Sequence, residues 1–393
     1  MTTRSIVASG AAIAALVMSL PLGAQQRAIQ PSKFTRAPMT QALPAGEVEV
    51  LPVRGNVYAL FGAGANIVVS VGNDGVLLVD AGRAEMSDKV LAAVQRLQRE
   101  WAVRNEPPSI GFGSETRSSV AGRHITAPPK PIRYVINTSA DSDHVGGNEK
   151  LRNAGHTFTG GNVTGNIADA TEGAAILAHE NVLTRLSRGT NVAQAEGQTP
   201  VPADALPTDA YFVDFYKLSH YFNGEGIQLF HTPKAHTDGD SIVHFRGSDV
   251  IALGDLMSTG SYPVIDVAKG GTINGVLDGL NRVLDMSIAE FRLEGGTLMV
   301  PGHGRLVDSA DVAYYRDMLT IIRDRVEDLI KKGRTLEQVK AANPSGDYDT
   351  EYGSTTGPWT TANFIEAVYK TLDAVRLKPD TTGGKPAPPA RRR

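Results

Sequence analysis

The 393-residue chain contains no cysteine. This absence excludes disulfide bonds, thiolate metal ligands and a cysteine nucleophile, so any metal would have to be held by histidines and carboxylates. Neither sign of charge is in large excess, since the formal net charge is -3 at pH 7. Because the chain also lacks a basic recognition motif, we do not expect a nucleic-acid partner.

Long apolar runs are missing beyond the N-terminus. Residues 1–24 have the features of a secretory signal peptide: Arg4 precedes an apolar core, and small residues up to Ala24 offer a cleavage point. The alternative is a retained membrane anchor, but the run is short and rich in Ala, Gly and Ser. We therefore expect cleavage, a periplasmic or secreted protein, and no stable membrane span after cleavage.

Composition then divides the rest of the chain. Residues 25–46 are rich in Gln, Pro and Ala and indicate a linker, which is followed by a main domain at 47–345. Within it, residues 101–130 lack periodicity and predict a surface insertion away from the chemistry. A C-terminal helical extension is expected at 346–378, and the Gly- and Pro-rich residues 379–393 predict a disordered tail.

The main domain alternates strand and helix patterns. "VLLVDAG" at 76–82 is a continuous apolar run, typical of a strand buried on both faces. The turn "GNDG" just before it favours a hairpin. Strands and helices follow one another and then repeat in the second half. The pattern predicts an α/β sandwich of two halves, with helices on the outside.

Three histidines follow apolar strands in loops rich in Gly and Asp. They are His144 in "SADSDHVGGN", His236 in "HTPKAHTDGDS" and His303 in "VPGHG". Asp255 lies between the last two, in "ALGDLM". Loops at strand ends commonly display functional groups on a rigid scaffold, so these side chains are candidates for one shared site.

The four motifs together resemble the metallo-β-lactamase superfamily. Its signature is Thr-His-x-His-x-Asp-His after a buried strand, then a later His, a bridging Asp and a final Gly-His. The order and spacing match here over about 47–345. The resemblance implies the four-layer αββα metallo-β-lactamase sandwich of the α/β class, to which the C-terminal helical extension is added.

The resemblance implies that one metal site is intact. In the family, the positions of Asp143, His144 and His303 hold the second metal, and the position of Asp255 bridges the two metals. Two imidazoles and two carboxylates suit Zn²⁺ and also Fe or Mn. The alternative is that these residues cap turns in a sandwich that has lost its metal.

The first metal site departs from the family. Ser139 and Asp141 replace its His-x-His pair, and only His236 is unchanged. In an extended segment Asp141 would point to the same side as Ser139 and Asp143. Three roles stay open: Asp141 and His236 could hold a weaker metal, the site could be empty, or Asp141 could act as a general base. Clustered carboxylates in any case favour a bound cation, because without one they repel each other.

The resulting hypothesis is an exported metal-dependent hydrolase with one or two ions of Zn²⁺, or of Fe or Mn. The resemblance implies attack by metal-bound hydroxide on an ester, lactam or lactone-type substrate, with Asp143 and Asp141 as catalytic candidates. The alternative is a non-catalytic binding protein that kept the fold. Retention of both Asp255 and His303 favours catalysis. No feature of the sequence indicates the oligomeric state.

Flanking residues have weaker claims. Asp80 ends a predicted strand and is expected to orient a ligand histidine. Asp238 and Asp240 are expected to do likewise or to cap their turn. His179 and His220 are as consistent with structural roles as with substrate contact.

Overall fold

The computed structural model describes residues 46–104, 130–156, 173–196, 200–287 and 295–376. The predicted signal peptide at 1–24, nearly all of the linker, most of the insertion and the C-terminal tail lie outside these residues. All of the described residues belong to one compact unit. No helix of the described ranges is long and apolar enough to cross a membrane.

The first sheet has seven strands, β1 to β7, which lie in chain order. Their bounds are Glu49–Arg54, Val57–Phe61, Ile67–Gly72, Gly75–Val79, Ile132–Ile136, Ala175–His179 and Asp209–Tyr211. Strands β1 to β4 pair antiparallel, whereas β4 to β7 pair in parallel. The carboxyl ends of β4, β5 and β6 therefore meet at one edge of the sheet.

The second sheet has five strands in the order β12-β11-β10-β9-β8. Their bounds, from β8 to β12, are Phe215–Phe222, Glu225–His231, Ser241–Phe245, Val250–Ser258 and Leu298–His303. Only the β11–β12 pair is parallel among these four pairings. Strands β11 and β12 therefore also finish at a common edge, where Asp255 and His303 lie.

Nine α-helices lie within the described ranges. Their bounds, from α1 to α9, are Ser87–Arg104, Ser142–Val145, Asn148–Asn153, Glu180–Glu196, Ile273–Met286, Ser309–Lys331, Leu336–Ala341, Asp349–Tyr352 and Thr361–Arg376. Helix α1 continues four residues into the segment assigned to the insertion, with Trp101 packed against the core.

The sheets pack face to face through apolar residues of both, including Leu77 and Ile136 from the first and Leu229 and Val243 from the second. Helices α1 and α3 cover the outer face of the first sheet. Helices α5, α6 and α9 cover the outer face of the second. The predicted αββα order is confirmed, and the C-terminal helices are present as expected.

The predicted hairpin is also present. Gly72 pairs with Gly75, so Asn73 and Asp74 form a two-residue turn between β3 and β4. Gly75 has a φ of 131°, a conformation that favours glycine. This turn fixes the register of β4, whose end carries Asp80 to the edge where the loops of the site converge.

Candidate metal centre

The three predicted histidine loops and Asp255 meet where the two sheets approach each other. The loop after β5 is tied to the second sheet by the Ser241 amide, which donates to the Thr138 carbonyl over 2.9 Å. The loop after β12 is tied to the first sheet by the Asn66 amide, which donates to the Gly302 carbonyl over 2.8 Å. These bonds hold ligand candidates from both sheets in one place.

Asp143, His144 and His303 form the first of two clusters with metal-ligand geometry. One donor atom from each lies within 4.8 Å of the others. Asp255 lies beside them, with Oδ2 at 3.0 Å from His144 Nε2 and Oδ1 at 3.4 Å from His303 Nε2. His144 is fully buried, while the His303 side chain is 41% exposed, so the cluster opens to solvent on the His303 side.

Asp80 fixes the orientation of His144. Its Oδ2 lies 2.9 Å from His144 Nδ1, and its Oδ1 accepts the Thr138 amide over 2.8 Å. The contact expected from the sequence is therefore present. A carboxylate on Nδ1 favours the tautomer that protonates this nitrogen, which leaves the Nε2 lone pair directed at the cluster.

The Nε2 atom of His144 is buried and, among the described residues, has no hydrogen-bond partner. Asp255 Oδ2 lies 3.0 Å away, a distance at which a protonated His144 forms an ion pair with it. The two atoms need a positive charge between them, which is a proton in the metal-free protein and would be a metal cation in the loaded one. Burial alone lowers the pKa of His144, yet Asp255 and Asp80 outweigh it and raise that pKa well above its usual value.

Asp141, His236 and Asp255 form the second cluster, again with donor atoms within 4.8 Å of one another. His236 Nε2 lies 2.9 Å from Asp141 Oδ2 and 3.6 Å from Asp255 Oδ2. Its Nδ1 lies 2.8 Å from the Val264 carbonyl, which fixes the ring. Ser139 is fully buried at the edge of this cluster, with Oγ 3.4 Å from Asp255 Oδ2.

We expected an extended segment between Ser139 and Asp143, but the structure has the start of a helix there. Helix α2 begins at Ser142, with Asp141 as its N-cap residue in an extended backbone conformation. The Asp141 carbonyl accepts the first helical amides, from His144 and Val145. This turn sends Asp141 into the second cluster and Asp143 into the first, because a helix does not alternate side chains as a strand does.

Lys269 is a residue of the site that the sequence motifs do not reveal. Its Nζ lies 2.8 Å from Asp141 Oδ1 and 3.0 Å from Asp266 Oδ2. The Asp266-Lys269 spacing marks a local ion pair. The partner that matters, Asp141, is 128 positions away in the chain, so linear sequence carries no sign of it.

The charges around Asp141 favour its ionised form. Burial would raise the pKa of Asp141, but hydrogen bonds and charge from His236 and Lys269 hold it well below its usual value. Burial likewise lowers the pKa of His236, and the hydrogen bond with Asp141, followed by the charges of Asp255 and Asp240, raises it to about 9. Asp141 is thus a weak base in this arrangement.

The candidate residues that flank the site have contacts or positions typical of structural roles. Asp240 caps its own turn by accepting the Thr237 amide and hydroxyl. Asp238 pairs with Arg185 at 2.6 Å. His179 is the last residue of β6 and is buried, whereas His220 is exposed in β8.

The sequence model of the metallo-beta-lactamase superfamily matches residues 61–342. The chain belongs to this superfamily. Its members are generally hydrolytic, and the matched range contains both clusters. No curated protein matches the chain significantly.

The chain is also similar to solved structures at low sequence identity. The metallo-beta-lactamase DIM-1 is 12% identical, with 70% of this chain and 97% of that chain covered and a TM-score of 0.44. The inverting sec-alkylsulfatase Pisa1 from Pseudomonas sp. is 16% identical, with a TM-score of 0.50. That match covers 87% of this chain but 52% of the sulfatase, so the chain spans about half of that enzyme's length.

Proposed function

We propose that this superfamily member is an exported metal-dependent hydrolase of small molecules, with its metal held by Asp143, His144 and His303 and contacted by Asp255. The donor set is two imidazoles and two carboxylates, which suits Zn²⁺ and also Fe or Mn. A divalent cation there supplies Lewis acidity, which polarises a substrate carbonyl and activates water at neutral pH.

One observation carries this proposal, namely the buried Nε2 of His144 without a hydrogen-bond partner. The Nδ1 side is held by Asp80, and Asp255 faces Nε2 too closely for two electron-rich atoms alone. A turn-capping role does not explain this arrangement, because capping groups are hydrogen-bonded. A metal cation held also by Asp143 and His303 would take the place of the proton that otherwise joins the two atoms.

The surrounding residues then have distinct tasks. Asp80 keeps His144 in one tautomer and orientation. Solvent and substrate would enter on the side of the half-exposed His303. Asp141 is occupied on both oxygens, so we assign it to positioning His236 rather than to proton abstraction.

We propose that the substrate is an ester, a lactone or a lactam, because Lewis-acid activation acts on a carbonyl in each. Superfamily membership supports hydrolysis but does not select among these groups, since substrate choice depends on loops around a shared centre. A sulfate ester belongs in the test panel as a further hydrolysable ester.

The export part of the proposal rests on residues 1–24. Expression of the full chain in a bacterium with a periplasm should give a periplasmic protein that begins after Ala24, as determined by intact mass. A full-length protein retained in the membrane fraction would contradict cleavage and support the anchor alternative.

The function is tested by loading the metal-free protein separately with Zn²⁺, Mn²⁺ and Fe²⁺ and measuring bound metal and turnover of the four substrate classes. Asp143→Asn and His303→Gln should each lower metal affinity by roughly a hundredfold and abolish turnover, because each removes a ligand. His220→Gln is the matched control, since His220 is an exposed histidine of β8.

The outcomes separate the alternatives. No bound metal in the wild-type protein would overturn the proposal. Tight metal binding without turnover of any substrate class would support the non-catalytic binding protein instead. Metal affinity that is unaffected by Asp143→Asn and His303→Gln would place the metal elsewhere in the chain.

A further inference from the structure

Asp141 already has a cationic partner that is part of the chain. One carboxylate oxygen lies 2.8 Å from Lys269 Nζ, and the other lies 2.9 Å from His236 Nε2. Asp141 is one of the three residues whose donor atoms form the second cluster. The ammonium of Lys269 therefore neutralises the same carboxylate that a metal in this cluster would need as a ligand.

The local structure holds Lys269 in this position. Asp266 is the N-cap of the short 3-10 helix Val267–Lys269 and accepts the Lys269 amide. The same carboxylate lies 3.0 Å from Lys269 Nζ. The Lys269 carbonyl accepts the Asp238 amide over 3.0 Å, and this ties the segment to the loop that carries His236.

Two glycines let this segment lie directly against His236. Gly270 has a φ of 87°, which is the left-handed conformation that ends the 3-10 helix. A Cβ atom at Gly271 would collide with the His236 carbonyl oxygen. The approach is reinforced by the Asp266 amide, which donates to that carbonyl over 2.9 Å. Several independent contacts therefore hold Lys269 in this position, unlike a lysine on the surface whose side chain rotates freely.

Charge makes a second cation unfavourable here. A lysine ammonium is positively charged at neutral pH, with an ordinary pKa near 10.4. A divalent cation sharing Asp141 would lie within a few ångströms of it in a partly buried site, where like charges repel strongly. Displacement of the ammonium would in turn separate it from two carboxylates, those of Asp141 and Asp266.

We propose that the Lys269 ammonium takes the place of a first metal ion, so that the chain binds one divalent cation, at Asp143, His144 and His303. This inference rests on the proposed function, because it requires that cluster to hold its metal. Replacement of the His-x-His pair by Ser139 and Asp141 then forms part of one arrangement with Lys269. The negatively charged carboxylate of Asp141 binds the Lys269 ammonium. The neutral imidazole that the family has at this position offers no such charge.

The test is a Zn²⁺ titration of the metal-free full chain by calorimetry, with bound metal counted by elemental analysis after dialysis. The wild-type protein should bind one equivalent. Lys269→Met removes the charge but keeps a long apolar stem, and it should bind a second equivalent. We expect affinity for that second ion to rise by roughly a hundredfold or more, because the repulsion is gone.

Three matched variants define the cause. Lys269→Arg retains the charge and should still bind one equivalent. Lys269→Met combined with Asp141→Asn should return to one equivalent, since the new ion loses its carboxylate ligand. Lys331→Met removes an exposed lysine of α6 and should bind one equivalent, as the wild-type protein does. If Lys269→Met fails to fold, Lys269→Gln serves the same purpose.

The outcomes are distinguishable from those of the function test. Two tightly bound equivalents in the wild-type protein would overturn this inference and leave the hydrolase proposal standing. A single equivalent in both Lys269→Met and Lys269→Gln would also overturn it, because the ammonium would then not be what excludes the second ion. No bound equivalent in the wild-type protein would overturn the proposed function itself.

Discussion

At the scale of single residues, the orientation of His144 depends on Asp80. The Asp80 backbone has a φ of 67°, a conformation that Asn tolerates better than most residues. Asp80→Asn should therefore keep the fold but weaken the hold on Nδ1 and the preference for one tautomer. We expect Zn²⁺ affinity to fall by about 10- to 100-fold, measured by competition with a chromogenic chelator.

The matched control is Asp249→Asn. Asp249 is also a buried aspartate at positive φ, but it accepts the Thr297 hydroxyl, which belongs to neither cluster. Its replacement should leave Zn²⁺ affinity unchanged. Equal affinities for Asp80→Asn and the wild-type protein would show that the carboxylate on Nδ1 does not support metal binding.

His179 predicts a pH effect on stability. Burial, and then the neighbouring His231 imidazole, lower the pKa of His179 from 6.5 to about 4. Between pH 4 and pH 6.5 the unfolded chain binds a proton at His179 that the folded chain does not bind. The contribution of neutral His179 to the free energy of unfolding is therefore complete above pH 6.5 and is lost as the pH falls toward 4. His179→Gln should reduce the slope of unfolding free energy against pH in this window.

The slope is measured by urea unfolding of the metal-free protein at several pH values. His220→Gln replaces an exposed histidine and should leave the slope unchanged. A His179→Gln slope that matches the wild-type slope would mean that His179 is protonated in the folded protein over this range.

The resemblance implied two groups of site residues, but the sequence did not predict the backbone conformation that separates Asp141 from Asp143. Asp143, His144, Asp255 and His303 were identified from motifs, since strand ends place them at one edge. The separate destinations of Asp141 and Asp143 depend on where α2 begins. That boundary was missed because four residues are too few to show helical periodicity.

At the scale of secondary-structure elements, the segment from Val264 to Gly271 joins the histidine loop to Lys269. Gly271→Ala should force this segment away from the His236 carbonyl. We expect a loss of about 1–3 kcal/mol in the free energy of unfolding, as is usual for overpacking at a tight contact. Urea denaturation of the metal-free protein measures it.

Gly260→Ala is the control at this scale, because a Cβ atom there meets nothing within 4 Å. Its effect should stay within about 0.5 kcal/mol, as for most surface substitutions. Similar stabilities for the two variants would show that the segment does not need to approach His236 so closely.

Local signals explain which elements were predictable. The β3–β4 hairpin follows from "GNDG", whose turn chemistry is contained in four neighbouring residues. The contact of Lys269 with Asp141 joins residues 128 positions apart. Only the packing of the 264–271 segment on the His236 loop brings them together, and no local pattern encodes it.

At the scale of the whole molecule, the predicted C-terminal extension shares the main core. Phe364 of α9 is fully buried and stacks on Tyr262, with ring centroids 4.4 Å apart. Phe364→Ala should therefore cost about 3–5 kcal/mol in the free energy of unfolding. It should also shift the whole unfolding transition rather than a separate C-terminal one, as seen by circular dichroism.

Phe212→Ala is the matched control, because Phe212 is 73% exposed. Its unfolding midpoint should be close to that of the wild-type protein. A small effect of Phe364→Ala, or an early transition confined to the C-terminal helices, would show that the extension folds independently.

The fold of the whole molecule was predictable because the order of four motifs along the chain is a global feature. The core that α5, α6 and α9 share was not predictable. The sequence of each helix indicates an apolar face but not which element covers that face. The number of cations was also out of reach. In our proposal it depends on Lys269, which lies outside the family's motifs.

The most direct test of the account is anomalous diffraction at the zinc edge from crystals of the Zn²⁺-loaded protein. We predict one strong peak, bounded by Asp143, His144 and His303, with the Lys269 ammonium in contact with Asp141. The absence of a peak between these three residues, with zinc present in the crystal, would contradict the proposed metal centre.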